Sequence, residues 1–163
     1  MAKLQPLIGV QRVKYSAPER RFVVPQDFRE ALGSEVFVVL DLKPEQSRCF
    51  VFPAPRFEEL SGLATAAEDK TPFSLTEGVE TTGGWMDRAR IDGRGRLTIP
   101  DSLAGLADFD NPERPEGPVD EIVLVGWVDR VEIITVAELD ERKRRLRQQR
   151  RPTFRAESGD SGA

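Results

Sequence analysis

The sequence contains no histidine and a single cysteine, Cys49. Histidine is the commonest metal ligand and general base in proteins, and zinc sites that stabilise a fold are built mostly from Cys and His. One cysteine cannot form a disulfide within the chain. Because Cys49 lies in an apolar segment, we expect it to be a reduced thiol in the core. The sequence therefore predicts no metal, no cofactor and no disulfide.

Apolar runs are also short, and none approaches the length that would cross a membrane. We expect no membrane segment and no signal peptide, and hence a cytoplasmic protein. No nucleophile, base and acid occur in a catalytic pattern, so we expect neither an enzyme nor a small-molecule substrate. With 163 residues, 32% charged and 7% aromatic, the chain can bury one core or two small intertwined halves.

The most informative segment is residues 90–100, Arg-Ile-Asp-Gly-Arg-Gly-Arg-Leu-Thr-Ile-Pro. It is typical of a strand, a tight turn and a second strand, because Gly93 and Gly95 permit a positive φ at the reversal. Asp92 can accept hydrogen bonds from turn amides or from a nearby guanidinium. We expect these three residues to brace the turn. Pro100 cannot donate to a sheet and fits the first turn of a helix.

Arginine side chains surround this turn. Arg94 and Arg96 lie at or beside the bend, and Arg88 and Arg90 share one face of the strand that leads to it. Fixed positive charge at a hairpin tip can contact the phosphate backbone of DNA. An ordinary solvated hairpin explains the same pattern, and for this motif alone that interpretation is favoured.

A second copy of the pattern lies upstream, where Pro25 aligns with Pro100. The matched segments are 21–25 with 96–100, 36–40 with 122–126, and 48–52 with 130–134. Each copy predicts the order strand, turn, strand, short helix, strand, turn, strand, helix. Two copies indicate a duplicated module rather than a solenoid.

The turn of the first copy departs from the pattern. Residues 16–21 contain neither the aspartate nor the glycine, and the loop holds one extra residue. Arg20 and Arg21 keep positive charge there, and Arg12 and Lys14 add more on the preceding strand. The departure predicts either a changed sequence preference or a first loop that no longer contacts DNA.

These features resemble the MraZ family of bacterial transcriptional regulators, which consist of two tandem AbrB-like halves. The family pattern is Asp-x-x-x-Arg, an apolar strand and a proline, matched here by Asp92, Arg96 and Pro100. Residues 124–133 also resemble the family's second half, and the resemblance covers residues 7–147. It implies a mainly β fold with short helices (α+β). In this fold two swapped-hairpin halves form one pseudo-dimeric double-split β-barrel, followed by a C-terminal helix.

The resemblance also divides the chain. We expect a first repeat at residues 7–67, a crossover linker at 68–84, a second repeat with a basic C-terminal helix at 85–150, and a disordered tail at 151–163. The last helix is predicted to begin at a capping box of Thr135 and Glu138 and to end at Pro152. Residues 107–120 contain three prolines and predict an exposed loop.

The resemblance implies a sequence-specific DNA-binding regulator of the cell-division and cell-wall operon. It would bind short G-rich direct repeats in double-stranded promoter DNA as a homo-oligomeric ring and associate with the nucleoid. The predicted DNA-binding residues are Arg12, Lys14, Arg20, Arg21, Arg88, Arg90, Arg94 and Arg96. Two alternatives stay open: an AbrB-type antitoxin that binds DNA and a toxin, and a divergent assembly scaffold that has lost DNA binding.

Charge is unevenly distributed along the chain. Residues 1–141 carry 16 Lys and Arg against 26 Asp and Glu, whereas residues 142–155 carry eight basic residues and no acid. An acidic body is poor at binding DNA unless its basic groups are focused. The basic segment has two interpretations of equal weight. One is a solvated helix end, and the other is an accessory phosphate clamp or an inter-subunit contact with an acidic surface.

Overall fold

The structure is a computed structural model that describes residues 6–43, 47–67 and 85–161, and the side chains within them except those of 63–67 and 151–161. The predicted linker at 68–84 lies outside these residues. Within them the chain is mainly β and has eight strands, as the sequence predicts, but it has three α-helices where the repeat predicts four. None of the described helices has the length and apolarity to cross a bilayer.

The two halves of the chain follow the same order of elements. The first half contains β1 Val10–Ser16, β2 Arg21–Val23, α1 Gln26–Leu32, β3 Glu35–Leu42, β4 Ser47–Pro53 and α2 Ala54–Ala67. The second contains β5 Met86–Arg90, β6 Arg96–Thr98, 3₁₀ turns at Asp101–Leu103 and Asp108–Asp110, β7 Glu121–Gly126, β8 Val131–Thr135 and α3 Val136–Ser161. The second half therefore has 3₁₀ turns where the first has α1.

The eight strands form one antiparallel sheet in the order β5-β3-β4-β8-β7-β1-β2-β6. A single bridge between Ile91 and Leu97 brings the ends of β5 and β6 together. The sheet is therefore a nearly closed barrel. Closing a sheet in this way leaves few unpaired strand edges, which would otherwise recruit other chains.

Read around the ring that the Ile91–Leu97 bridge closes, the strand order is unchanged when each strand of one half is exchanged with its counterpart in the other. β1 pairs with β7, and β3 pairs with β5, so each half completes its sheet with a strand of the other. Phe22 lies opposite Leu97, and Phe50 lies opposite Glu132. In the sequence alignment these are matched residues. The sheet thus has an approximate twofold axis through both pairs.

The two aligned prolines have the same backbone conformation. Pro25 has φ −57° and ψ 148°, and Pro100 has φ −57° and ψ 145°. Each immediately precedes a short helical segment, as a residue without a backbone N–H can. Gly33 caps the C-terminal end of α1, where its N–H donates to the carbonyl of Arg29 at 3.0 Å.

Both halves contribute to one core inside the barrel. Its members are mostly β-branched and aromatic side chains that alternate along the strands, such as Val36, Val38 and Leu40 on β3. Cys49 is buried in this core as a free thiol. Phe57 and Leu60 of α2 cover the outer face of β3 and β4. Leu139 of α3 covers Val123 and Ile134.

The segment 107–120 is mostly exposed or half-buried, as predicted, but Ala107 and Phe109 are buried. Phe109 is buried and packs edge-to-face against Tyr15, with ring centroids 5.3 Å apart. The Tyr15 hydroxyl donates to Asp110 Oδ1 at 2.7 Å. Proline content correctly indicates irregular backbone here, but burial follows from the apolar side chains Ala107 and Phe109, which close one side of the core.

The last helix also differs from the prediction. It continues through Pro152 to Ser161, whereas the sequence predicts an end at Pro152. Proline removes one hydrogen bond from a helix and disfavours the turn before it, but its φ near −65° is itself helical. A proline inside a helical pattern can therefore bend a helix without ending it.

Candidate nucleic-acid interface

The hairpin between β5 and β6, which we call hairpin 2, is braced by Asp92. Its Oδ1 accepts hydrogen bonds from the backbone N–H groups of Arg94 and Arg96, both at 2.9 Å. Its Oδ2 accepts one from Arg96 Nε at 2.7 Å. The bonds from the Arg96 backbone and side chain and from the Arg94 backbone hold the pKa of Asp92 below its ordinary value. The turn therefore presents Arg94 from a defined backbone.

The two glycines of hairpin 2 are not equivalent. Gly95 has φ +79°, which few residues with a side chain adopt, and an added Cβ would collide with the guanidinium of Arg29 from α1. Gly93 has no positive φ, and an added Cβ would meet open space. The predicted role in bracing the turn therefore fits Gly95, and the backbone reversal does not require a glycine at 93.

Carboxylates pair with most of the predicted DNA-binding cations. Six of the eight form ion pairs: Arg12 with Glu121, Arg20 with Asp101, Arg21 with Glu19, Arg88 with Glu58, Arg90 with Glu35, and Arg96 with Asp92. Arg94 and Lys14 are exposed, and neither has a carboxylate partner among the described residues. Exposed ion pairs contribute little free energy and can exchange, so pairing lowers but does not remove the availability of the six.

Arg88 and Arg90 lie on one face of β5, as predicted, but that face is the outer one that α2 covers. The Arg88 guanidinium lies over the ring of Phe37, 4.7 Å from its centroid, and donates to Glu58 of α2 at 2.9 Å. Arg90 donates to Glu35 at 3.4 Å. In this arrangement Arg88 bridges β5 and α2.

The hairpin between β1 and β2, hairpin 1, has the predicted extra residue. Tyr15 pairs with Phe22, which encloses residues 16–21, whereas Ile91 pairs with Leu97, which encloses the shorter segment 92–96. Arg20 occupies the position of Gly95, counted back from the proline, and has φ +51°. Its guanidinium contacts Asp101 of the other half.

The positive charge of the arginines is more fully neutralised at hairpin 1 than at hairpin 2. Glu19 lies at the position of Arg94, counted back from the proline, and accepts a hydrogen bond from Arg21 at 2.5 Å. Because β2 and β6 are antiparallel, the two tips lie at opposite ends of this strand pair. Among the described residues, the tip of hairpin 2 carries an exposed arginine without a carboxylate partner, whereas both arginines of hairpin 1 have one.

A shallow groove brings cations of both halves together beside the pair β2 and β6. It has a volume of about 670 Å³ and is lined by Lys14, Tyr15, Ser16, Arg21, Phe22, Val23, Arg96, Asp120 and Glu121. Its three cations are matched by two carboxylates, so the groove floor has little net charge. An anion in this groove would meet repulsion from Asp120 and Glu121 as well as attraction.

A buried ionic cluster around Glu132 has no counterpart in the sequence prediction. Glu132 is fully buried and accepts hydrogen bonds from Arg48 at 3.0 and 3.3 Å, from Arg142 at 2.9 and 2.8 Å, and from Trp127 Nε1 at 2.9 Å. Arg142 therefore belongs to the base of α3, not to a solvated basic tail. The sequence did contain a signal that Glu132 is buried, because Glu132 aligns with Phe50, which lies in an apolar strand of the first half.

Two opposing effects determine the charge of Glu132. Burial raises its pKa, but hydrogen bonds from Arg142 and Arg48 outweigh burial and lower the pKa to about 2. A buried carboxylate with five donated hydrogen bonds is well satisfied, whereas removal of one partner would leave uncompensated charge. The cluster joins β4, β8 and α3 at one point on the approximate axis.

Reactive or metal-binding chemistry has little support in the described part of the chain. No group of three or more His, Cys, Asp and Glu residues is placed there to hold a metal ion. Burial raises the pKa of the Cys49 thiol, with a smaller contribution from Glu132. A thiol that stays protonated is a poor nucleophile.

Comparison with models of known protein families and with curated proteins gives no match for this chain.

Proposed function

We propose that this protein is a DNA-binding transcriptional regulator of the MraZ type, with two AbrB-like swapped-hairpin halves in one double-split barrel. The exchange-symmetric strand order and the equal conformations of Pro25 and Pro100 support the duplicated architecture. The observation that carries the function is the tip of hairpin 2, where Asp92 fixes the turn and Arg94 is exposed with no carboxylate partner in the described part of the chain. An arginine held in this way can contact phosphate or guanine O6 and N7 in the major groove.

Because residues 1–141 carry a net negative charge, one copy of hairpin 2 gives only weak affinity for DNA. Several copies in a homo-oligomeric ring would present the same tip repeatedly and raise affinity through effective concentration. Short G-rich direct repeats in the promoter of the cell-division and cell-wall operon suit such a ring, and binding there places the protein at the nucleoid. The complex would be sensitive to salt, because each phosphate contact releases counterions.

The test is a footprint on DNA upstream of the protein's own gene, repeated across a salt series. We expect protection of regularly spaced short repeats, with a preference over shuffled DNA of equal composition. A protein that protects no segment, or binds shuffled DNA equally well, would refute the proposed regulator.

The pairing of six predicted cations with carboxylates favours one second candidate, an assembly scaffold without DNA binding. The two functions differ in a simple measurement. A scaffold would form the oligomer, as light scattering reports, yet would not shift any duplex at low salt.

A further inference from the structure

The base of α3 is fixed to the barrel. The helix begins at Val136, where the N–H of Glu138 donates to Thr135 Oγ1 at 3.1 Å, which is one of the two hydrogen bonds of the predicted capping box. Leu139 packs on β7 and β8, and Arg142 is bound to the buried Glu132. The direction in which the following turns project is therefore set by the barrel.

Beyond Arg142 the helix leaves the barrel surface, and residues 143–150 are all exposed. Its cations there fall into two groups. Arg144 and Arg145 form ion pairs with Glu141, and Arg145 also with Glu138. Lys143, Arg147 and Arg150 have no carboxylate partner within the described residues, although Asp140 lies one turn from Lys143. The unpaired cations are thus separate from the paired ones.

The three unpaired cations share one helix face, because their spacing is four and then three residues. At a rise of about 1.5 Å per residue, this basic face spans roughly 10 Å along the helix. A DNA duplex carries one negative charge per about 1.7 Å of its axis, so a face of this length meets several phosphates.

The composition of the face indicates which partner it fits. Protein interfaces centre on apolar and aromatic side chains, and Leu146 is the only apolar side chain among the exposed residues 143–150. A face of cations with one flanking leucine is suited to a polyanion. Arginine and lysine bind phosphate through charge-assisted hydrogen bonds.

We propose that Lys143, Arg147 and Arg150 bind the phosphate backbone of double-stranded DNA without base specificity. This contact rests on the proposed DNA-binding function and adds to it a second site, which holds the duplex while hairpin 2 contacts bases. Because Arg142 and Leu139 bind the base of α3 to the barrel, the fold sets the distance between the two sites.

The test compares two double variants of the full chain that remove equal charge from the same helix. One is Lys143→Gln with Arg147→Gln, and the matched control is Arg144→Gln with Arg145→Gln. Fluorescence anisotropy with a random-sequence 30-base-pair duplex gives log Kd against log salt. We expect the first variant to lower the slope by about 1.8, at about 0.9 for each lost phosphate contact, and the control to lower it by less than half as much.

Three further results decide the case. Equal slopes for the two variants would show an effect of net charge alone and overturn the proposal. An unchanged slope with a smaller oligomer in light scattering would make the face a contact between copies, which also overturns it. If the wild-type protein bound promoter repeats no more tightly than random duplex while the two variants still differed in slope, the proposed regulator would be refuted and this contact would be supported.

Discussion

At the level of single residues, the nearest carboxylate determines what each arginine does. Arg96 pairs with Asp92 and braces a turn, Arg142 binds Glu132 and anchors a helix, and Arg94 has no carboxylate partner among the described residues. The same residue type therefore has three different roles. A count of basic residues near a motif therefore overestimates the cations that are available for DNA.

We predict that Arg94→Ala weakens promoter binding and lowers the salt slope by about 0.9, because one phosphate contact is lost. Arg21→Ala should change the slope by much less, since Arg21 already donates to Glu19. Gel shift or anisotropy on the footprinted duplex measures both. Equal losses for the two variants would mean that hairpin 1 contacts DNA as well as hairpin 2.

Glu132 should contribute to stability in a defined pH range. Its pKa falls from an ordinary value near 4.5 to about 2 on folding, so the unfolded chain binds the proton more tightly between these values. The contribution is therefore present above about pH 4.5 and is lost as the pH falls toward 2. From the size of the shift it amounts to roughly 3 kcal/mol in the free energy of unfolding.

Glu132→Gln should remove this part of the acid dependence and also destabilise the protein at neutral pH, because two arginines lose a buried partner. Urea unfolding at a series of pH values gives both quantities. Glu116→Gln is the control, since Glu116 is exposed and pairs with Arg114 at the surface. The same loss of acid dependence in the control would assign it to surface charge.

The two glycines of hairpin 2 give a matched pair for backbone strain. Gly95→Ala should destabilise the protein by about 1–2 kcal/mol, because an alanine is strained at φ +79° and its Cβ meets Arg29. Gly93→Ala should change the free energy of unfolding by less than about 0.5 kcal/mol. Urea unfolding tests both, and equal effects would contradict the difference in backbone conformation.

At the level of elements, local sequence signals located most helices and strands. The repeated pattern indicated eight strands, and the alignment of Pro25 with Pro100 indicated a helical segment after each proline. Local sequence signals did not predict burial where contacts between distant segments determine it. Phe109 lies in a proline-rich segment and is buried because the core is open beside Tyr15, which no local pattern reports.

The turn between β7 and β8 contains a strained residue. Val128 has φ +73°, which is unfavourable for a β-branched side chain, and its side chain is 64% exposed. Val128→Gly should therefore raise the free energy of unfolding by up to about 1 kcal/mol. Val10→Gly is the control, an exposed valine without positive φ, and it should destabilise β1. Destabilisation by both changes would mean that the Val128 side chain makes contacts that outweigh the strain.

At the level of the whole molecule, the repeat predicted more than any single motif. Alignment on Pro25 and Pro100 placed Phe22 on Leu97 and Phe50 on Glu132, and the sheet pairs both sets across its axis. The electrostatics could not be predicted in the same way. Whether Arg88 faces solvent or covers Phe37 depends on where α2 packs, and only the folded chain brings Glu58 beside it.

The exchanged strands make a prediction about the two halves as separate chains. Because β1 pairs with β7 and β3 with β5, neither half can complete its sheet alone. Residues 1–75 and 76–163, mixed after separate expression, should therefore form a 1:1 complex. Sedimentation velocity measures its mass, and circular dichroism measures its strand content.

The two halves should differ in their tendency to form homodimers, because the residue that each places on the approximate twofold axis differs. A dimer of the first half would place Phe50 against Phe50, which is compatible with an apolar core, whereas a dimer of the second would place Glu132 against Glu132. Like charges on directly opposite strand positions are destabilising, and burial increases the cost. The first half should thus dimerise at lower concentration than the second. Folded monomers of both halves would show that each closes its own core and that the exchanged strands are not required.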